Sequence, residues 1–153
     1  MDSYISESAI SFLQTLNNQQ LCYGMKSPDT DLYDFGFGEF VEFVSRDRNT
    51  RELCTSVLHV TCRFKVIWRN KKRRILRFYE DTSHIKFHSE IQHLIGLRIQ
   101  RVALSSKNDL WLDLGDCWIV FATFENGEES WRLFTLKEES PHLIASNSAL
   151  VFS

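Results

Sequence analysis

The sequence predicts an α+β domain, mostly antiparallel sheet, with an N-terminal helix and a short central helix. Three observations carry that prediction. Leu58, Val60, Cys62, Phe64, Val66 and Trp68 alternate without a break against His59, Thr61, Arg63 and Lys65, the period of a strand with one buried face. Aromatic residues make up 13% of the chain, with twelve Phe and four Trp, which favours a β-rich core. The chain also repeats itself at a constant offset of 78: Leu16, Ser27, Asp31, Leu32 and Tyr33 meet Leu94, Ser105, Asp109, Leu110 and Trp111. The expected architecture is two pseudo-repeated β-meanders, with repeat units at 16–38 and 94–115 inside a single domain spanning 1–153. The meanders either close into a barrel or form two sheets.

Taken in order, Ser3 to Leu16 reads as a helix. Ile5, Ala9, Ile10, Phe12, Leu13 and Leu16 form an apolar stripe, Ser3 or Ser6 can cap it, and Glu7 suits the dipole of the first turn. Gln20 to Met25 is a short strand. Ser27-Pro28-Asp29-Thr30 is turn chemistry, since Pro28 presets φ and Asp29 can close an Asx-turn. Leu32 to Phe37 and Glu39 to Ser45 read as two further strands, and Arg46 to Glu52 as a charged loop. Leu53 to Trp68 is the longest strand, Arg69 to Lys72 turns the chain, and Arg74 to Tyr79 returns. Ser83 to Leu94 is a helix with Ile85, His88, Ile91 and Ile95 along one side and Gly96 as its stop. The second meander runs Arg98 to Leu104, Asp109 to Leu114, Cys117 to Phe124 and Ser130 to Leu136. Its last two strands are joined by Asn126-Gly127, a hairpin signal. From Pro141 onward no element is predicted.

The net charge is −2, but it is unevenly spread. Residues 1–45 hold one Lys or Arg against seven Asp or Glu, residues 46–77 eleven against two, and residues 78–153 six against eleven. The overall balance argues against a general nucleic-acid binder. Cys22, Cys54, Cys62 and Cys117 show neither C-x-x-C spacing nor a cluster with His, so four reduced thiols in a cytoplasmic protein are expected. MDSYISESAI has neither the basic nor the apolar region of a signal peptide, and no apolar run approaches the length of a membrane span.

Catalytic signatures are sparse. His84 and His88 are four apart on one helix face with His93 beyond them, a spacing that can hold zinc, but no His-Glu-x-x-His arrangement accompanies it and no metal or cofactor is expected. Asp109, Asp113 and Asp116, like Asp29, Asp31 and Asp34, could act as paired acids, although turns favour Asp in any case. Ser130 in GEESWRLF is not on a sharp nucleophile turn, and Gly36-Phe37-Gly38 is too short to cradle phosphate. The expectation is a protein that is not an enzyme. The sharpest charge feature is the basic run Arg63, Lys65, Arg69, Lys71, Lys72, Arg73, Arg74 and Arg77. It could contact nucleic acid, which gives the alternative reading, a nucleic-acid-binding module using the hairpin 63–77. The alternation turns Phe64 and Trp68 toward the core, away from any base, and a solvated hairpin guarding a sheet edge reads equally well.

Two segments resemble motifs of small, uncharacterised bacterial proteins: Leu58 to Trp68, LHVTCRFKVIW, and Asn108 to Phe134, ending Glu129-Ser130-Trp131-Arg132-Leu133-Phe134. The likeness spans residues 12–135. The strand before Trp68-Arg69 is longer here than that pattern would have it. Proteins of this type are similar to immunity proteins of contact-dependent growth inhibition and other polymorphic toxin systems. The resemblance implies a cytoplasmic protein that binds and neutralises a toxin C-terminal domain, often a nuclease, and it carries no catalytic residues. Nucleases that bind polyanions are often basic, so carboxylates would steer association. The candidates are Asp29, Asp31, Asp34, Glu39, Glu42, Asp113, Asp116, Glu125 and Glu128. A homodimer formed by edge pairing is compatible with either reading.

Overall fold

The computed structural model describes residues 2–44, 50–70, 75–136 and 140–153. Helix α1 spans Asp2–Gln14. It is followed by β1 (Leu21–Lys26), β2 (Tyr33–Val44), β3 (Thr50–Val60), β4 (Phe64–Trp68) and β5 (Ile75–Phe78). Helix α2 (His84–Ile91) precedes β6 (Arg101–Leu104), β7 (Leu110–Asp113), β8 (Cys117–Phe121), β9 (Trp131–Thr135), β10 (Leu143–Ala145) and β11 (Leu150–Phe152). The strands make two open antiparallel sheets, β1-β2-β3-β9-β10-β11 and β5-β4-β8-β7-β6. The barrel alternative is therefore corrected: the sheets share one core and do not close into a ring. Among the described residues no helix is long and apolar enough to cross a membrane.

The offset of 78 organises the hydrogen bonding. Asn18 N–H donates to the Ile99 carbonyl, and Gly96 N–H donates to the Leu21 carbonyl; adding or subtracting 78 turns one bond into the other. Leu21 N–H to Leu97 O and Ile99 N–H to Gln19 O are related in the same way. The bridge between Gln20 and Arg98 maps onto itself. Asn18 and Gly96 share the left-handed conformation, at φ 69° and 95°, and each ends the turn after its helix. Asp31 and Asp109 both lie in the loop that follows, closed by Ser27 N–H to Leu32 O in one case and Ser105 N–H to Asp109 O in the other. At the level of strands, β1-β2-β3-β9-β10 in the larger sheet corresponds to β6-β7-β8-β4-β5 in the smaller. Each meander is thus completed by the last two of these strands from the opposite half.

Two expectations are corrected by this exchange. The run Leu53 to Trp68 is two strands, because residues 61–63 carry the chain from one sheet to the other. Thr61 and Cys62 N–H both donate to the Ser130 carbonyl, and Ala122 N–H donates to the Arg63 carbonyl, so the two crossing segments bind each other. Likewise Asn126-Gly127 does not close a hairpin, since β8 and β9 lie in different sheets. Gly127, at φ 81°, and the Asn126 side chain accepting from Glu128 N–H form a corner instead.

Inward rows from both sheets supply the core. Phe64 sits among Tyr33, Phe78, Phe35 and Phe121 with ring centroids 4.7, 4.9, 5.4 and 5.4 Å away. Ala9, Leu13 and Leu16 cover one side. On α2, Phe87 and Ile91 are buried, while Ile85 is 71% exposed. That corrects the expected face. The register is set by Gly24 of β1, where a Cβ would stand 2.5 Å from the Ile91 side chain; the helix packs where the strand has none. The strands expected at Leu32 to Phe37 and Glu39 to Ser45 are one strand, β2, kinked by a bulge between Phe37 and Phe40. The tail adds β10 and β11, which no sequence signal marked. All four cysteines are free, and three are buried. Burial pushes the Cys62 and Cys117 thiols up to about 12, so they are packing groups and not nucleophiles.

Candidate functional site

Because the sheets face each other, their outer surfaces lie on opposite sides of the core, and chemistry is divided between them. On the larger sheet, one outward row runs Met25, Asp34, His59, Arg132 and Ile144 across β1, β2, β3, β9 and β10. His59 Nε2 stands 2.9 Å from Asp34 Oδ1, an ion pair whenever His59 is protonated. That oxygen is shielded from solvent, and the His59 contact falls short of hydrogen-bond alignment although the two atoms are close. The next outward positions carry Tyr23, Val57 and Phe134, with the Tyr23 ring lying over Gly36, where a Cβ would be 2.1 Å from it. Desolvation pushes the Tyr23 hydroxyl up to about 12, with the Asp34 carboxylate adding to the effect.

His59 meets Phe134 edge-on at 4.8 Å, and Phe134 stacks on His142 at 4.5 Å. Arg132, held by Glu129 at 2.6 Å, places a guanidinium nitrogen 3.0 Å from His142 Nδ1. A guanidinium only donates, so His142 accepts and is the neutral tautomer with its proton on Nε2. Burial, then the Arg132 charge, then His59 hold the His142 imidazole below its ordinary value. For a base with a depressed folded-state pKa, the unfolded chain binds the proton first as pH falls. The contribution of His142 is therefore present above the ordinary imidazole pKa near 6.5 and is lost as pH drops through the lower folded value. In urea titrations across pH 5 to 7, His142→Phe is expected to flatten that part of the stability profile. An unchanged profile would remove His142 from the account.

The sheet surface continues into a groove of about 460 Å³ lined by Tyr23, Met25, Asp34, Phe40, His59 and Phe134 among others, with His88 at its rim. Beside it β2 and β3 outrun their neighbours. β1 pairs with β2 only up to Phe37, and β9 with β3 only from Ser56. Among the described residues, Phe40 to Val44 and Thr50 to Cys54 pair with each other alone. This two-stranded arm exposes 54% of Phe40 and 37% of Val41, and Met25 across the groove is 52% exposed. Val41 borders a second hollow of about 640 Å³ between the arm and α1, lined also by Phe12, Gln19 and Thr55.

The nine candidate carboxylates do not converge. Asp29 and Asp31 are exposed in the β1–β2 turn, at the far end of β2 from the arm. Asp34 lies on the groove, and Glu39 and Glu42 are exposed at the base of the arm. Asp113 is bound by Arg69 at 3.0 Å and accepts from Gly115 N–H, which ties it to its own turn. Asp116 is exposed in that turn, and Glu125 and Glu128 lie in the β8–β9 corner. Asp34, Glu39 and Glu42 share a surface with the exposed apolar side chains Met25, Phe40 and Val41.

The basic run lies along β4 and β5 on the smaller sheet. Lys65 pairs directly opposite Arg77. Arg63 is bound by Glu80 at 3.2 Å and lies over the Tyr79 ring, and Arg69 lies over Trp118. Lys71, Lys72, Arg73 and Arg74 fall outside the described residues. Phe64 is buried and Trp68 half-buried against the core, so neither is a stacking surface. His84, His88 and His93 are exposed on and after α2. Among the described residues no group of three or more His, Cys, Asp or Glu could hold a metal ion. Asp109 accepts from Thr123 N–H and Oγ1, a turn-forming role. Sequence reasoning missed the arm because strand pattern alone does not show where a neighbour stops. Comparison with protein-family models, curated proteins and solved structures finds no match to this chain.

Proposed function

We propose that the protein is a non-catalytic binding protein of the immunity type, which acts in the cytoplasm by covering a toxin domain with the β2–β3 arm and the adjoining groove. The observation that carries this reading is the arm itself, a ribbon that leaves its sheet and holds Phe40 in water. An isolated two-stranded ribbon is marginal on its own, and large apolar side chains grouped at a surface mark a docking site. Phe40 and Met25 supply an apolar centre on the groove, Val41 adds apolar surface toward the second hollow, and Asp34, Glu39 and Glu42 supply carboxylates. Residues 1–45, which include all of these, have only Lys26 as a cation. The chemistry suits a basic partner surface, as a nuclease domain would present, and the resemblance to immunity proteins supports the same partner.

The test begins with affinity capture from cells that co-express the neighbouring reading frame, followed by titration with the isolated toxin domain. Phe40→Asp is expected to weaken binding about 100-fold, the effect of removing an interfacial anchor. Glu39→Lys with Glu42→Lys is expected to slow association several-fold at low salt and much less at high salt. Co-expression of the unaltered protein should protect cells from the toxin domain. Full affinity in both variants would sink the assignment of this surface, and failure to protect would sink the function.

A further inference from the structure

We infer that the outer face of the smaller sheet is a separate binding surface, one that takes single-stranded nucleic acid by stacking bases beside a row of cations. The strand register places the side chains. One outward row reads Arg77, Lys65, Val120, Trp111 and Ala103 across β5, β4, β8, β7 and β6. The parallel outward row reads Ile75, Ile67, Trp118, Asp113 and Arg101. Two indoles therefore sit together near the middle of the sheet, 5.9 Å apart and edge-on. Guanidinium groups lie over Trp118 from either flank of β8, Arg69 just past β4 at 4.9 Å and Arg101 on β6 at 5.3 Å. Trp111, Lys65, Arg77 and Tyr79 border a recess of about 330 Å³, floored by Val120 and Ala122.

The charge on this face is mostly positive once internal pairs are set apart. Glu80 is taken by Arg63 and Asp113 by Arg69, which leaves Asp109, hydrogen-bonded to Thr123, as one carboxylate beside the cations. Among the described residues Lys65, Arg77 and Arg101 make no ion pair, and Arg101 lies over the indole. Lys65 and Trp111 stand two strands apart, about 10 Å, so a phosphate at the first leaves a base within reach of the second. An acidic peptide would use the cations and gain nothing from the paired indoles. A nucleotide strand uses both, since every base has a face to stack, and stacking on an aromatic side chain is worth about 1–3 kcal/mol per base. This surface does not depend on a partner at the β2–β3 arm, which belongs to the other sheet.

The experiment uses the full chain and labelled oligothymidylate and oligouridylate of about 12 nucleotides, read by anisotropy and tryptophan quenching at about 50 mM salt. Binding should quench tryptophan emission, and polyglutamate should not compete. Trp111→Leu should weaken binding at least fivefold. Lys65→Glu with Arg77→Glu should weaken it more than tenfold and lower the salt slope by about 1.4, two single-strand contacts. The glutamate variants alter side chains on the wet face, so they keep the test open if Trp111→Leu fails to fold. No binding at this salt, competition by polyglutamate equal to that of unlabelled oligonucleotide, or full affinity in the glutamate variants would overturn the inference.

Discussion

Trp131→Ala is expected to lower the free energy of unfolding by about 4 kcal/mol, the middle of the range for deleting a buried aromatic side chain. Trp131 is fully buried and opens β9, where that strand joins β3 opposite Val60 and β10 opposite Ala145. Its indole N–H donates to the Asn108 carbonyl at 3.0 Å, in the turn before β7. The side chain therefore pins the larger sheet to a turn of the smaller one. Truncation opens a cavity and leaves that carbonyl without its donor, and the two losses act together. In a protein whose total stability is on the order of 5–15 kcal/mol, this is a large fraction. Urea denaturation followed by circular dichroism measures it. Trp131→Phe should recover more than half the loss, because it refills most of the volume without restoring the hydrogen bond. A loss under about 1 kcal/mol for the alanine variant would mean that the corner does not hold the sheets together.

Gly38→Ala is expected to destabilise by about 3 kcal/mol, from two separate causes. Gly38 is at φ 98°, inside the bulge of β2, a conformation that side chains resist. A Cβ there would also fall on Thr55 Oγ1, 1.8 Å away, which donates to the Phe37 carbonyl. The two costs can be separated. Thr55→Ala in the Gly38→Ala background removes the clash and leaves the backbone strain, so the double-mutant cycle should show a favourable coupling of about 1 kcal/mol or more. Additivity would show that the strand shifts to accommodate the methyl group and that only φ matters. Because the bulge sets where the arm leaves the sheet, the same variant should also weaken binding by the arm.

The positions of the elements were largely legible, because alternation and caps are local. The helix at the N-terminus, the turn at Ser27 to Thr30, the meander strands and the offset of 78 all appear in the sequence. The destination of each strand was not. Val60, Cys62 and Phe64 are all buried, although the chain changes sheets between the first and the last. Both sheets feed one core, so the hydrophobic period passes through the corner unbroken and carries no mark of it. Asn126-Gly127 misled for a related reason: the pair specifies a reversal of the backbone, which serves a corner as well as a hairpin. On α2, spacings through Ile85 and through Phe87 fit the helical period alike, and only Gly24 on another strand decides between them. Candidate sites were legible as charge and illegible as surface. The basic run was visible, but Trp111 and Trp118 join it only through strands distant in sequence.

The exchange of strands has a consequence for synthesis on the ribosome. The edge of β3 ends at Val60, and the strand that covers it begins at Trp131. A growing chain that has already delivered α1 and β1 to β5 still has an open edge on its larger sheet, while β4 and β5 have no sheet of their own to join. The first half thus waits, with pairing groups bare, until nearly the whole chain has emerged. Each half is a template that only the other can finish. Separated at the link between Phe78 and His84, the two pieces should stay unstructured alone and form one native fold when mixed.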